Sequence, residues 1–252
     1  MKIDTPSIGR ISQLRQLWQL AFGDDESFIS TFFENGFAPE RCRCITIGNQ
    51  VAAALYWFEA GCMDQKVAYL YGVATHPAFR GQGLCAGLMK DTHAHLRTLG
   101  YHSVVLVPQK ESLREMYRKM GYCDCTFVSE FFCTDDPFPA PMHCIDSSEY
   151  ARLRRDYLPE GSVIQEGSNL TFLNACAKFY KGMDFIMAAS READNLFAME
   201  FLGNRASAPG VLCSLGCAQG TFRTVGDNKP FAMFLPLTED AAKPPYFGFA
   251  FD

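Results

Sequence analysis

Residues 7–22 place Ile8, Ile11, Leu14, Leu17, Trp18 and Ala21 at spacings of three and four, the apolar stripe of an amphipathic helix. A second helix follows, with Phe28, Ile29, Phe32 and Phe33 as its inner face and Asp24 or Asp25 as its cap. Segments 41–47 and 51–59 are rich in β-formers and flank Gly48-Asn49-Gln50, so they read as a hairpin, and 67–75 reads as a third strand ending at His76-Pro77. A Gly-rich turn at 81–83 then opens a helix over 84–99, whose inward residues are Leu84, Leu88, Met89, Leu96 and Leu99, with Gly100 as its C-cap. A short strand over 102–107, a short helix over 112–120 and an extended stretch over 123–133 complete this run.

Residues 134–142 carry three prolines and read as a linker. Beyond them the pattern predicts helices over 147–157 and 168–179 and strands over 183–189 and 195–202. A poor helix over 206–216, interrupted by Pro209, is followed by strands over 221–225, 231–236 and 246–251. The turn signal at 226–230 predicts that 221–225 and 231–236 pair as a hairpin. The domain reading is therefore 1–135, a linker over 136–142, and 143–252.

Composition narrows the classes. At 252 residues, 48% hydrophobic and 20% charged, the chain is globular and long enough for a large core. It holds no run of eighteen apolar residues, and its start lacks the apolar core of a signal peptide, so the cytosol is the expected location. Residues 1–137 hold 13 Lys+Arg against 15 Asp+Glu, and residues 138–252 hold 10 against 13. Neither half is basic, which argues against nucleic acid or an anionic membrane as a partner. Eleven cysteines without an export signal argue against a disulfide framework. Their spacings, Cys42/Cys44, Cys123/Cys125 and Cys213/Cys217, include no C-x-x-C knuckle, so core filling is expected and no metal.

The chemistry-bearing stretch runs from Tyr71 to Gly87. A strand leads into closely placed glycines and then a helix, so backbone N–H groups converge at a helix N-terminus where Gly81 and Gly83 let an anion approach. The same geometry also serves as a plain tight connection. A P-loop is excluded, since no Gly-Lys-Ser/Thr follows, and the glycines do not fit Gly-x-Gly-x-x-Gly.

Arg80-Gly81-Gln82-Gly83-Leu84-Cys85 resembles the Arg/Gln-x-x-Gly-x-Gly/Ala signature of the Gcn5-related N-acetyltransferases (GNAT), departing only at Cys85. Ser112 to Tyr122 is similar to the family's second motif, with Tyr117 at its tyrosine and a poorly kept small position. The resemblance covers residues 1–135. It implies an α/β (α+β) GNAT fold, a mixed central sheet with strands 4 and 5 splayed apart and flanking helices, and an acetyl-CoA co-substrate. Coenzyme contacts are then expected at Val73, Ala74 and Thr75 for the pantetheine arm and at Arg80, Gly81, Gln82, Gly83, Leu84 and Cys85 for the pyrophosphate. Tyr117 takes the place of the general acid, and the acceptor would be an amine of a small molecule or a peptide.

Strand four supplies no acid to serve as base, so Glu34, Glu59, Glu130 and Asp252 are the carboxylate candidates, with Asp252 favoured on a tail that folds back towards Tyr117. Cys85, a thiol at a helix N-terminus, is expected to have a lowered pKa, with a minor covalent route conceivable there. Residues 143–252 lack both motifs. Their element order suggests a degenerate second copy that completes the acceptor pocket, with an unrelated α+β domain as the competing reading and no second coenzyme site expected. A catalytically idle acyl-CoA-binding sensor is the rival function, and a homo-oligomer is compatible with either.

Overall fold

β1 (Lys2–Asp4) precedes the two amphipathic helices α1 (Ile11–Phe22) and α2 (Glu26–Asn35). Of the two candidate caps, Asp25 takes the role: its carboxylate accepts from the Phe28 N–H at 2.8 Å. β2 (Cys42–Ile47), β3 (Gln50–Cys62) and β4 (Gln65–Thr75) form an antiparallel meander, and α3 (Leu84–Thr98) crosses over to β5 (Ser103–Leu106), which lies parallel to β4. α4 (Glu111–Lys119), β6 (Cys123–Asp124) and β7 (Phe127–Thr134) end the first half. The structure, a computed structural model, describes residues 2–250.

The second half runs through β8 (Met142–Ile145), α5 (Ser147–Tyr157), β9 (Ile164–Gln165), α6 (Ser168–Cys176), β10 (Lys178–Gly182), β11 (Phe185–Glu192), β12 (Asn195–Gly203), α7 (Ala208–Leu215), β13 (Gln219–Val225), β14 (Lys229–Pro230) and β15 (Met233–Pro236). Two mixed sheets result. The first has the order β1-β2-β3-β4-β5-β15-β6, with β9 added to β3; the second has the order β14-β7-β13-β12-β11-β10-β8. The first sheet thus takes β15 and the short β9 from across the proline-rich segment, and the second takes β7. β15 lies between β5 and β6, and β7 lies beside β13.

Several expectations are corrected. Segments 221–225 and 231–236 do not pair: β13 bonds to β7 and β12, while Met233–Pro236 pairs with β5 and β6 in the other sheet. An alternating pattern says that a strand has a buried face, not which strand lies beside it. Residues 246–250 form no strand, although Tyr246, Phe247, Phe249 and Ala250 are buried. Pro209 starts α7 rather than interrupting it, because a missing N–H costs nothing in the first turn. Leu99 is 44% exposed, beyond the inward face of α3. β8 starts at Met142, the last residue of the predicted linker, and β10 starts at Lys178 within the helix predicted over 168–179, so neither strand is anticipated by the pattern.

Alternation along the first sheet explains its two layers. Tyr56, Phe58, Val67 and Tyr69 face α1 and α2, while Ala53, Leu55, Trp57, Ala68 and Leu70 face α3. The layer under α1 and α2 continues into the second half. Phe172 of α6 stacks on Phe58 (centroids 5.9 Å apart, planes 13°) and meets Phe32 and Tyr71 at 5.4 and 5.7 Å. Among the described residues, no helix is long and apolar enough to cross a membrane.

Candidate active site

β4 pairs with β5 only through Val67–Ser103, Ala68–Val104 and Tyr69–Val105. From Leu70 onward the two strands part, and the β5-side edge of β4 has no strand partner among the described residues. A bulge widens the opening. The register with β3 steps from Tyr56–Tyr71 to Ala54–Ala74, so Gly72 and Val73 together face the single residue Leu55. Gly72 has φ +58°, and a Cβ there would meet Trp18 at 2.8 Å and Tyr56 at 2.9 Å, so only glycine fits. The extra residue also inverts the alternation: Val73 joins the α3 layer and Ala74 the opposite one.

Two cavities occupy the opening. One, of about 100 Å³, is walled by Trp18, Phe22, Tyr69 and Tyr71 on one side and by Leu106, Val107 and Tyr117 on the other, and Asp24 also lines it. The second, about 530 Å³, extends over Val73–Thr75 and the turn at the head of α3, lined by Arg80, Gly81, Gly83, Leu84 and Cys85 among others. Gly81 and Gly83 adopt φ +77° and +74°, and a Cβ at either would meet nothing within 4 Å, so conformation and not crowding demands glycine here. The first backbone bond of α3 runs from the Gly87 N–H to the Gly83 carbonyl, 3.0 Å. The N–H groups of Leu84, Cys85 and Ala86 therefore point out of the helix end, the arrangement that receives an anion.

Tyr117 lines both cavities. α4 delivers it: Arg114, one turn earlier, is buried and bonds to Asp124 and to the carbonyls of Pro230 and Phe231, fixing the helix against the strand-exchange region. Burial pushes the Tyr117 hydroxyl well above its usual range, with the Cys85 thiol adding a smaller push, and no hydrogen bond to another described residue engages it. The group thus stays protonated at neutral pH and is left to a ligand.

Residues 2–123 match the acetyltransferase (GNAT) domain family. They belong to that family. Among solved structures, the chain is similar to a GCN5-related N-acetyltransferase from Anabaena variabilis (16% identity, 94% of this chain and 73% of that one, TM-score 0.76). It is also similar to a putative acetyltransferase from Pyrococcus horikoshii (10%, 98% and 93%, 0.64) and to a tandem GNAT protein from the clavulanic acid biosynthesis pathway (11%, 95% and 100%, 0.56). Identities this low speak for the fold, which is the two-part GNAT arrangement over the whole length. No curated protein matches the sequence.

Within the GNAT domain the residues singled out from the sequence are dispersed unevenly. Val73, Ala74, Thr75, Arg80, Gly81, Gly83, Leu84, Cys85 and Tyr117 line one cavity, whereas the Gln82 side chain is exposed and does not. Arg80 turns its guanidinium back, Nε donating to the Thr75 carbonyl at 3.2 Å, so it buckles the turn to the end of β4. Burial raises the Cys85 thiol instead of lowering it, which corrects the expectation drawn from its place on the helix. Of the carboxylates, Glu59 lies at the far end of β3, accepting from Tyr101 and paired with Lys66 at 3.2 Å. Glu130 sits on β7 in the other sheet, held by Arg223 and Lys229, and Glu34 is exposed on α2. None of the three lines either cavity. Asp252 lies outside the described residues.

Two residues of the site escaped the sequence reading. An isolated glycine inside a strand pattern is a bulge signal, so Gly72 was there to be found. Asp24 carried no such signal, being read only as a cap. The tail up to Ala250 runs behind the site: Tyr69 meets Phe247 edge-on at 4.9 Å, and Thr126 donates to the Phe247 carbonyl at 3.0 Å.

Proposed function

We propose that this chain is an acetyl-CoA-dependent N-acetyltransferase that moves the acetyl group directly from the coenzyme thioester to an amine of a small molecule or peptide, with Tyr117 as general acid. The observation that carries this is the position of Tyr117, the one hydroxyl-bearing side chain among the five residues that line both the aromatic cavity and the cavity that leads to the α3 N-terminus. Pyrophosphate on the N–H groups at 81–86 and a pantetheine arm paired along the open edge of 73–75 would bring a thioester to that hydroxyl. The ammonium first gives one proton to solvent; the amine nitrogen then attacks the carbonyl carbon, the C–N bond forms, and the C–S bond breaks with its electron pair on sulfur. Tyr117 gives its proton to that sulfur, and the proton that the nitrogen loses as the amide forms returns through solvent to the tyrosinate. In bulk water a thiol, with a pKa of about 8.5, is the stronger acid of the two. Burial that raises the tyrosine also raises the proton affinity of a thiolate beside it, which keeps the transfer in reach.

In this reading the second half braces the acceptor side, since Phe172 and Phe247 pack behind Tyr71 and Tyr69 while every residue lining the aromatic cavity lies between 18 and 117. The test is acetyl-CoA-dependent release of free thiol with a panel of amines, alongside calorimetry of acetyl-CoA. Binding with thiol release supports the enzyme; binding without it for any amine points to an acyl-CoA sensor. Cys85→Ala should retain turnover, because transfer is direct.

A further inference from the structure

Asp24 presents an isolated carboxylate to an aromatic chamber. The Trp18 indole N–H donates to its Oδ2 at 2.7 Å, which orients the group and leaves Oδ1 for another donor. Asp24 lines the same cavity as Trp18, Tyr69, Tyr71 and Tyr117. No cation among the described residues pairs with it: Arg15, the basic side chain of α1, bonds instead to Glu26 and to Ser30. Trp18 and Tyr71 lie 5.7 Å apart at an angle of 52°, and both line the cavity with the carboxylate. A carboxylate with a free oxygen beside electron-rich ring faces is the chemistry that recognises an ammonium group.

We infer that Asp24, with Trp18 and Tyr71, binds the acceptor's ammonium group, and that the acceptor is therefore a basic amine with no carboxylate beside the amino group. This rests on the acetyltransferase reading and narrows its substrate. The cavity of about 100 Å³ has the space of roughly three waters. It admits an aminomethyl end, while the remainder of the acceptor lies outside. An α-amino acid would bring its own carboxylate into this small space against Asp24, a like-charge contact in a partly desolvated chamber.

The experiment uses matched pairs that differ only by that carboxylate: 2-phenylethylamine and phenylalanine, tyramine and tyrosine, histamine and histidine, 1,5-diaminopentane and lysine. Thiol release from acetyl-CoA gives kcat and KM for each, and calorimetry gives acetyl-CoA affinity separately. The wild-type protein should favour the amine in at least one pair by about tenfold or more in kcat/KM, the scale of one charge-assisted hydrogen bond. Asp24→Asn still accepts the indole N–H, so the fold and acetyl-CoA affinity should hold while KM for the amine rises about tenfold and the preference within the pair shrinks. Trp18→Phe, which frees the carboxylate, should weaken the same preference. The inference is overturned if amines and amino acids are used alike, if neither member of any pair is used although acetyl-CoA binds, or if Asp24→Asn leaves the preference unchanged. Failure to bind acetyl-CoA at all would overturn the acetyltransferase reading first, and this one with it.

Discussion

In the first sheet β4 runs parallel to β5 for three residue pairs and then parts from it; in the second, β12 runs parallel to β13 for four pairs, Asn195–Gln219 to Ala198–Phe222, and parts likewise. Both crossovers carry a helix, α3 or α7, and both strands before them are bulged, at Gly72–Val73 and at Met199. The strand orders correspond throughout, with β15 and β7 exchanged into equivalent places. The two copies differ in what fills the opening. In the first it is a pair of cavities. In the second Arg205 of the crossover loop donates to the Val225 carbonyl at 3.0 Å and lies over the Phe131 ring, tying that loop to β13 and β7.

The helix ends diverge in the same sense. α3 starts behind left-handed glycines with its first N–H groups turned outward, whereas α7 has Pro209 in its first turn, where one N–H is missing. A Cβ on Gly210 would lie 3.0 Å from backbone atoms of Phe138 and Ala140, so the proline-rich segment covers that end. At the equivalent depth Glu200, fully buried, accepts from Arg154, Tyr150 and Tyr246. One copy is thus open and equipped for a ligand, and the other spends its polar groups on itself, fastening the tail beside the first.

Five substitutions would break or sharpen this contrast. Tyr117→Phe should lower turnover by about 100- to 10,000-fold with acetyl-CoA affinity unchanged, measured by thiol release and calorimetry. Activity near wild type would mean that chemistry does not reside in the open copy as described. Glu200→Ala should cost about 3–5 kcal/mol in urea unfolding, because it leaves the buried Arg154 charge without its partner. A small loss would show the closed copy to be tolerant rather than structural.

The next effect is one of pH. Burial chiefly, with Arg97 helping, lowers His93 to about 4 from an ordinary 6.5, and its ring nitrogen shares a 2.7 Å hydrogen bond with Tyr122. The unfolded chain takes up that proton first on acidification, so the neutral ring's contribution is complete above pH 6.5 and is lost as pH falls towards 4. The loss should reach about 3 kcal/mol, and His93→Gln should flatten the stability profile over that window. The smallest effects come from matched glycines. Gly83→Ala, at φ +74°, should weaken acetyl-CoA binding at a cost of about 1–2 kcal/mol. Gly210→Ala should lower stability by about 1–3 kcal/mol through crowding and leave acetyl-CoA binding alone. If both weakened binding, the closed copy would have a ligand role after all.

Legibility followed locality. Arg80 to Cys85 and the α3 stripe were readable because a tight turn, left-handed glycines and a helix start are dictated within a few residues. Gly72 was readable in principle by the same rule. The pairing of 221–225 with 231–236 was not: 219–225 and 229–230 both run antiparallel to β7, so the chain keeps its direction across 226–228 instead of reversing. Ala232 accepts from the Cys125 and Thr126 N–H groups and the Phe231 N–H bonds to Thr126, so the chain there is drawn into the first sheet.

The sequence by itself determined the helices, the meander of β2 to β4, the glycine turn and Tyr117, since backbone conformation and amphipathic period are properties of neighbouring residues. Only the tertiary structure decided which strands lie side by side, that β7 and β15 change sheets, that Glu130 leaves the site and that Asp24 enters it. Those outcomes depend on burying faces contributed by residues far apart in the chain, such as Phe172 on Phe58 or Met233 beside Leu106, and no local pattern carries that information.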